Sequence, residues 1–417
     1  MDTYKKNGEV LLDLADKKDK KLAIFVCFYS LAGMINIAIK VSLNVSPTIW
    51  VLTSRVFQLL LMILLLDCIS TLLKRKGIGF IFMEILFIIA YCFSFLLGNA
   101  DSSLLASDLF ESTCVVLPVA FATIATLNRQ ILYNCMVKTG YIALVLSFFF
   151  WVFSAGTSSA ESYSMGFAGY ILVFILVQWN EFLTADTRKK MIVHGVCSVY
   201  GMIFIVLYAN RASLICIMFF IVIRLLKTTV LTPKTFIRTS TLSIVMLVIA
   251  INYKTLVIYV FNKLAQTGKA SYSITSMLNG EFFKSNERLD LFQYYWDLIK
   301  QKPIIGWGID GGFLGEGNGP HNVLLELLLA FGFFVGGAIV LFLIFAFIQV
   351  CISKTCPTVD YDLLLIYASS IIMKFVSSGA FFRSVNLIVF LLLYIEFTQS
   401  GLLRNSFFNY KIRVGGL

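Results

Sequence analysis

The chain has 417 residues, 59% of them hydrophobic and 14% charged, with 34 Lys and Arg against 23 Asp and Glu for a net charge of +11. The length would allow two or three soluble domains, but a surface with so few charges does not suit water, so the bilayer is the expected solvent. Anionic lipid head groups and membrane topology account for the positive balance, which makes no case for nucleic acid.

Residues 1–21 read as a charged cytoplasmic segment ending in Lys17-Lys18-Asp19-Lys20-Lys21. Apolar runs able to cross about 30 Å of hydrocarbon follow. About twelve are predicted, near 22–39, 49–72, 77–97, 110–127, 139–155, 165–183, 191–208, 212–226, 241–261, 323–350, 362–379 and 384–398. The expected fold is therefore an all-α polytopic membrane protein. Its helices one to nine lie in 22–261, one large extracytoplasmic, partly helical loop in 262–320, helices ten to twelve in 321–398, and a cytoplasmic tail in 399–417. Basic short loops stay in the cytoplasm. With the N-terminus inside, Lys74-Arg75-Lys76, Arg188-Lys189-Lys190, the Arg224 to Arg238 loop and the tail with Arg404, Lys411 and Arg413 all fall inside. No small-residue cleavage pattern follows the charged leader, so the first helix is expected to remain as an anchor.

Ionisable side chains inside spans cost about 2.5–3.5 kcal/mol each at the bilayer centre. Arg55, Asp67, Glu84, Lys254 and Lys374 are accordingly expected to need partners or a polar cavity. Arg55 and Lys374 are candidates for lining a diphosphate or lipid path, and Asp67, near Lys74-Arg75, for the inner interface. The nine cysteines, Cys27, Cys68, Cys92, Cys114 and Cys216 among them, fall mostly inside spans and read as packing residues. His194, near the inner face, reads as structural. Asp360-Tyr361-Asp362, at the start of span eleven, reads as chance. With no CxxC or HExxH, neither a protein-held metal nor a cofactor is expected. No internal repeat is evident, which weakens the case for a secondary transporter.

The segment from Asn262 to Pro320 is the largest break in this pattern. Within it, SNERLDLFQYYWDLIKQKP carries apolar residues at helical spacing, with Leu289, Phe292, Tyr295 or Trp296, and Leu298 or Ile299 on one face. Asn286 is a serviceable N-cap and Pro303 a stop. Then comes IIGWGIDGGFLGEGNGP, with seven glycines, read as a loop whose backbone can approach a ligand closely. A new helix is predicted in PHNVLLELLLAFG with Pro320 in its first turn.

The order Arg288, Trp296, Pro303, Gly306, Gly308, His321, Asn322 and Gly332 resembles the signature loop of the O-antigen ligase and polymerase superfamily. A second element of that family, a small outer loop bearing arginine ahead of a span, is matched by Tyr208-Ala-Asn-Arg-Ala-Ser213. The resemblance covers these two motifs and the topology; nothing else aligns. It implies a metal-independent glycosyltransferase whose donor is a sugar chain on undecaprenyl diphosphate.

The residue chemistry fits. A diphosphate leaving group can be held, and its growing charge stabilised, by guanidinium donors. Arg211 and Arg288 are the candidates. Arg211 is expected to open span eight with Asn210 as N-cap, aiming the helix's positive end at the same site. The competing readings are a snorkelling interfacial Arg211 and a solvated Arg288. His321, the one histidine placed on the outer face, is a candidate to accept a proton from an acceptor hydroxyl or to bind the diphosphate. Asn322 orients a sugar or caps a helix. Tyr294, Tyr295 and Trp296 either stack on sugars or pack, with packing favoured for Trp296. Glu281, Glu287, Asp290, Asp297, Asp310 and Glu316 are alternative bases that spacing does not separate.

The reading is a Wzy-type polysaccharide polymerase at the outer face of the bacterial plasma membrane, moving a growing chain from undecaprenyl diphosphate onto a lipid-linked repeat unit. A chain-length regulator is left open as a partner. An O-antigen ligase or other oligosaccharyltransferase shares the motifs. A flippase or a scaffold explains the hydrophobicity but not the motif order. The site is expected where the long loop folds over the mouth of spans eight and ten.

Overall fold

A computed structural model describes residues 2–42, 46–154, 165–207, 211–227, 258, 286–312, 319–320, 322–353, 358–376 and 381–400. All secondary structure among them is helical. The helices are α1 (Asp2–Ser42), α2 (Pro47–Leu97), α3 (Ser102–Glu111), α4 (Leu117–Ala125), α5 (Arg129–Ser154), α6 (Met165–Thr184), α7 (Arg188–Leu207) and α8 (Arg211–Lys227). They continue with α9 (Asn286–Gln301), α10 (Val323–Phe331), α11 (Gly337–Ile352), α12 (Val359–Val376) and α13 (Val385–Gln399). Five-residue π-helical turns join α3 to α4 (Ser112–Val116) and α10 to α11 (Gly332–Gly336).

Among the described residues, six helical stretches are long and apolar enough to cross a membrane: Ala15–Lys40, Thr48–Leu97, Ser102–Ala125, Arg129–Val152, Gly166–Thr184 and Val323–Ile352. Val385–Gln399 is apolar but shorter. The chain is thus a helical, multi-pass membrane protein. Predicted spans two and three fall in one helix, α2, bent at Lys76 (φ −135°, ψ 16°). Predicted span nine, Lys254 and most of the long loop and of the cytoplasmic tail lie outside the described residues.

Residues 1–29, 56–136 and 287–417 form one compact unit, and residues 30–55 and 137–286 the other. In the second, α6 packs on α7 and α8. Small residues let the helices close up: a Cβ on Gly201 would meet Ile175 at 2.8 Å, and one on Gly140 would meet Gln178 at 2.6 Å. That glutamine donates to the Val137 carbonyl (3.1 Å), and its Oε1 lies 2.8 Å from Nδ1 of the buried His194. His194 thus lies within the packing of α7 on α6.

In the first unit, α13 packs on α4 and α12. Asp67 bonds Lys21 at 2.6 Å. Beside that pair, Arg75 pairs with Asp19 and donates to the Ala125 carbonyl (2.8 Å), while Asp19 accepts from the amides of Leu127 (3.3 Å) and Asn128 (2.9 Å). Arg129 donates to the Thr123 carbonyl and to that of Ile124 (3.1 Å), which caps the end of α4. It also pairs with Glu396 (2.7 Å) and Asp360 (3.4 Å), and Lys76 reaches Glu396 at 3.0 Å.

Candidate active site

The glycine-rich loop begins where α9 ends. The apolar face of α9 is the predicted one in part: Tyr295, Leu298 and Ile299 form a buried core with Leu329 of α10, while Trp296 stays 37% exposed with its ring edge against Phe333. Tyr295 is fully buried there, so its ring serves packing and leaves no face for a sugar.

Beyond α9 the loop docks onto a break in the next span. The Trp307 and Gly308 amides donate to the carbonyls of Leu329 (2.7 Å) and Ala330 (3.0 Å), and the Phe333 amide donates back to Pro303 O (2.7 Å). The two backbones come so close that only glycine fits at the crossing. A Cβ on Gly306 would lie 2.5 Å from Ala330 O, and one on Gly332 would lie 2.5 Å from Ile304 O; both positions also have positive φ. At Gly306, the first glycine of the run, and at Gly332 the missing side chain brings the loop against a helix. Side chains fasten the rest. Trp307 Nε1 donates to Leu298 O (2.8 Å), Lys302 lies 4.0 Å from the Trp307 ring centroid, and Asn99 Nδ2 donates to Trp307 O (3.2 Å). Ser94 Oγ accepts from the Ile309 amide at 2.8 Å.

Directly after this anchor, the loop delivers Asp310 into a buried charge cluster. Asp310 is 7% exposed and has φ 56°, the one non-glycine residue with positive φ among those described. Its carboxyl meets that of Asp108 on α3. Asp108 Oδ2 pairs with Arg383 Nε at 3.2 Å, on the turn before α13. Glu326 of α10 accepts from the Phe381 amide (3.0 and 3.2 Å) and feels Asp310, Arg383 and Lys374. Glu111 completes the ring of acids around Arg383. Burial opposes charge on that guanidinium, but Asp108, Asp310, Glu111 and Glu326 together outweigh it and hold the group more firmly protonated than usual. The Arg383 side chain is 35% exposed, so the cluster opens at this residue. Among the described residues no group of three His, Cys, Asp or Glu is arranged to hold a metal ion.

The other predicted residues are distributed as follows. Asn322 is the N-cap of α10: its Oδ1 accepts from the Leu324 (2.8 Å) and Leu325 (3.3 Å) amides and its Nδ2 donates to Phe375 O (2.7 Å). The capping alternative is realised, and Pro320 precedes the cap instead of lying in the first helical turn. Lys374 is in the acidic cluster beside Glu326. Arg55 is an exposed residue of α2. Arg211 is the first residue of α8, as expected, and Arg288 lies in the first turn of α9. Asn210 and His321 fall outside the described residues. Arg383, Asp108, Glu111 and Glu326 were not foreseen. Glu326 stands alone in the apolar run VLLELLLAF, and Arg383 follows span eleven much as Arg211 follows span seven, so both carried a signal.

Residues 196–343 match the family model described as O-antigen ligase, about a third of the chain, running from within α7 to within α11. No curated protein and no solved structure matches the chain.

Proposed function

Because the chain carries a domain of the O-antigen ligase and polymerase superfamily, whose members are membrane glycosyltransferase-like enzymes, we propose that it is a polysaccharide polymerase. It transfers a growing glycan from undecaprenyl diphosphate to a non-reducing hydroxyl of a lipid-linked repeat unit, at the outer face of the bacterial plasma membrane. The observation that carries this reading is that Arg211, Arg288 and His321 all lie within the matched residues 196–343. Arg288 and His321 moreover flank a loop that is tied by its backbone into a span. Arg211 and Arg288 hold the diphosphate and stabilise charge on it as the glycosidic bond breaks. His321 serves the acceptor hydroxyl or the diphosphate. No metal takes part, so activity persists in chelator. The large loop faces outward and a chain-length regulator is a candidate partner.

Twelve spans fit this reading. As one straight helix Thr48–Leu97 would be about 75 Å long, more than twice the hydrocarbon thickness, and its bend at Lys76 supports two crossings. The ligase alternative is favoured by the match of residues 196–343 to the O-antigen ligase family. Deleting the gene and blotting lipid-linked and surface polysaccharide separates them. A single repeat on the normal acceptor indicates a polymerase. Long chains accumulating on undecaprenyl diphosphate indicate a ligase, and loss of repeat units from the outer leaflet indicates a flippase. Arg211→Ala, Arg288→Ala and His321→Ala should each abolish most chain extension at unchanged protein level; near-normal ladders from all three would overturn the mechanism.

A further inference from the structure

Resting on the glycosyltransferase reading, we infer that Asp310 is the general base of the transfer, its carboxylate taking the proton of the acceptor hydroxyl that attacks the anomeric carbon. The first observation is conformational. Asp310 holds φ 56° within a loop whose neighbouring residues Gly308, Gly311 and Gly312 are glycine. A left-handed backbone costs a side-chain-bearing residue about 1–2 kcal/mol, which glycine would avoid, so the loop carries a carboxylate at the very place where none is needed for the turn.

The second observation is an unfilled bonding capacity. Asp310 is 7% exposed, yet its Oδ2 has no hydrogen-bond partner. Buried carboxylate oxygens are costly without a donor, and an incoming hydroxyl supplies one. The third is the sign of the surroundings. Asp108, Glu111 and Glu326 gather beside Asp310 with Arg383 and Lys374, a concentration of carboxyl groups suited to accept from a hydroxyl and to stabilise positive charge developing at the anomeric carbon.

Asp108 is the positioning residue. Anchored at 3.2 Å by Arg383, its carboxyl meets that of Asp310. In the step itself the hydroxyl oxygen bonds to the anomeric carbon and the bond from that carbon to the diphosphate oxygen breaks. The electron pair leaves with the lipid diphosphate, and the proton passes to the Asp310–Asp108 pair and then to solvent.

The test uses the full-length protein in vesicles containing polyprenyl-diphosphate-linked repeat units, with the rate of chain extension as readout. If the wild type makes no polymer, the function reading fails, and the inference with it. Given an active wild type, Asp310→Asn retains the side-chain shape and tolerates positive φ, so its thermal unfolding should match the wild type. Its kcat should fall by about 10²–10⁴ with KM within a few-fold. Asp310→Gly relaxes the backbone, and its activity should return in part on adding formate as an external base. An Asp310→Asn variant extending chains within about tenfold of wild type, or a folded Asp310→Gly variant insensitive to formate, would overturn the inference and leave the function reading intact.

Discussion

Around Arg129, three acids, Asp19, Asp360 and Glu396, meet three bases, Arg75, Lys76 and Arg129, and the carbonyls of Thr123, Ile124 and Ala125 take up further guanidinium donors. Around Arg383, in the same unit, four carboxyl groups meet two cations, and Asp310 keeps an oxygen without a donor. Both networks tie together helices distant in sequence, so charge burial alone does not separate a structural cluster from a functional one. The balance does. A closed network has no capacity left for a ligand, whereas an open one holds capacity that something else must fill.

The contrast can be broken by mutation. Arg129→Ala removes one of the two partners of Glu396, the partner of Asp360 and the cap on α4, at a side chain 9% exposed, and should lower stability by about 3–5 kcal/mol, read by denaturation in detergent. If Asp310→Asn proves equally destabilising, the distinction between the two networks collapses. Gly332→Ala comes next. It forces a positive φ on alanine, about 1–3 kcal/mol, and adds a clash with Ile304 O at 2.5 Å, so the protein should unfold at lower temperature and lose chain extension together. Asn322→Ala strips the α10 cap and should cost about 0.5–2 kcal/mol, with activity reduced in proportion to the folded fraction; a complete loss at full stability would restore a sugar-binding role.

The smallest effect concerns pH. The Leu104 and Ser103 amides hold the Asp101 carboxyl below its ordinary value at the start of α3. A depressed carboxylate contributes stability that is present at neutral pH and lost as the pH falls through its folded value. Asp101→Asn keeps a cap without a titrating group, so the variant should unfold with a weaker acid dependence than the wild type between neutral pH and the carboxylate range.

Much of this architecture is legible from residues alone. The apolar runs mark α1, α5 and α6, and the spacing of Tyr295, Leu298 and Ile299 foretells the buried face of α9. Asn322, with an asparagine's two possible roles, could not be assigned until its amide partners at Leu324, Leu325 and Phe375 were in place. The glycines were readable only in part: a residue with no Cβ permits close approach, but sequence does not say to what. At Gly306 and Gly332 the answer is another stretch of the same backbone. The Arg383 cluster gathers residues from α3, the loop, α10, α12 and the turn before α13, more than 200 positions apart, and no local pattern unites them.

The docking of the loop on residues 329–333 bears on how this region can be exchanged between relatives. Where α10 breaks, the carbonyls of Leu329 and Ala330 receive their protons from Trp307 and Gly308. Hydrocarbon offers no substitute donor. A chimaera that imports a foreign loop without the matching helix break would leave the carbonyls of two buried residues without donors. The natural unit of transplantation therefore runs from α9 through α11, and swaps cut at the loop's ends should fail to insert stably whatever their catalytic residues.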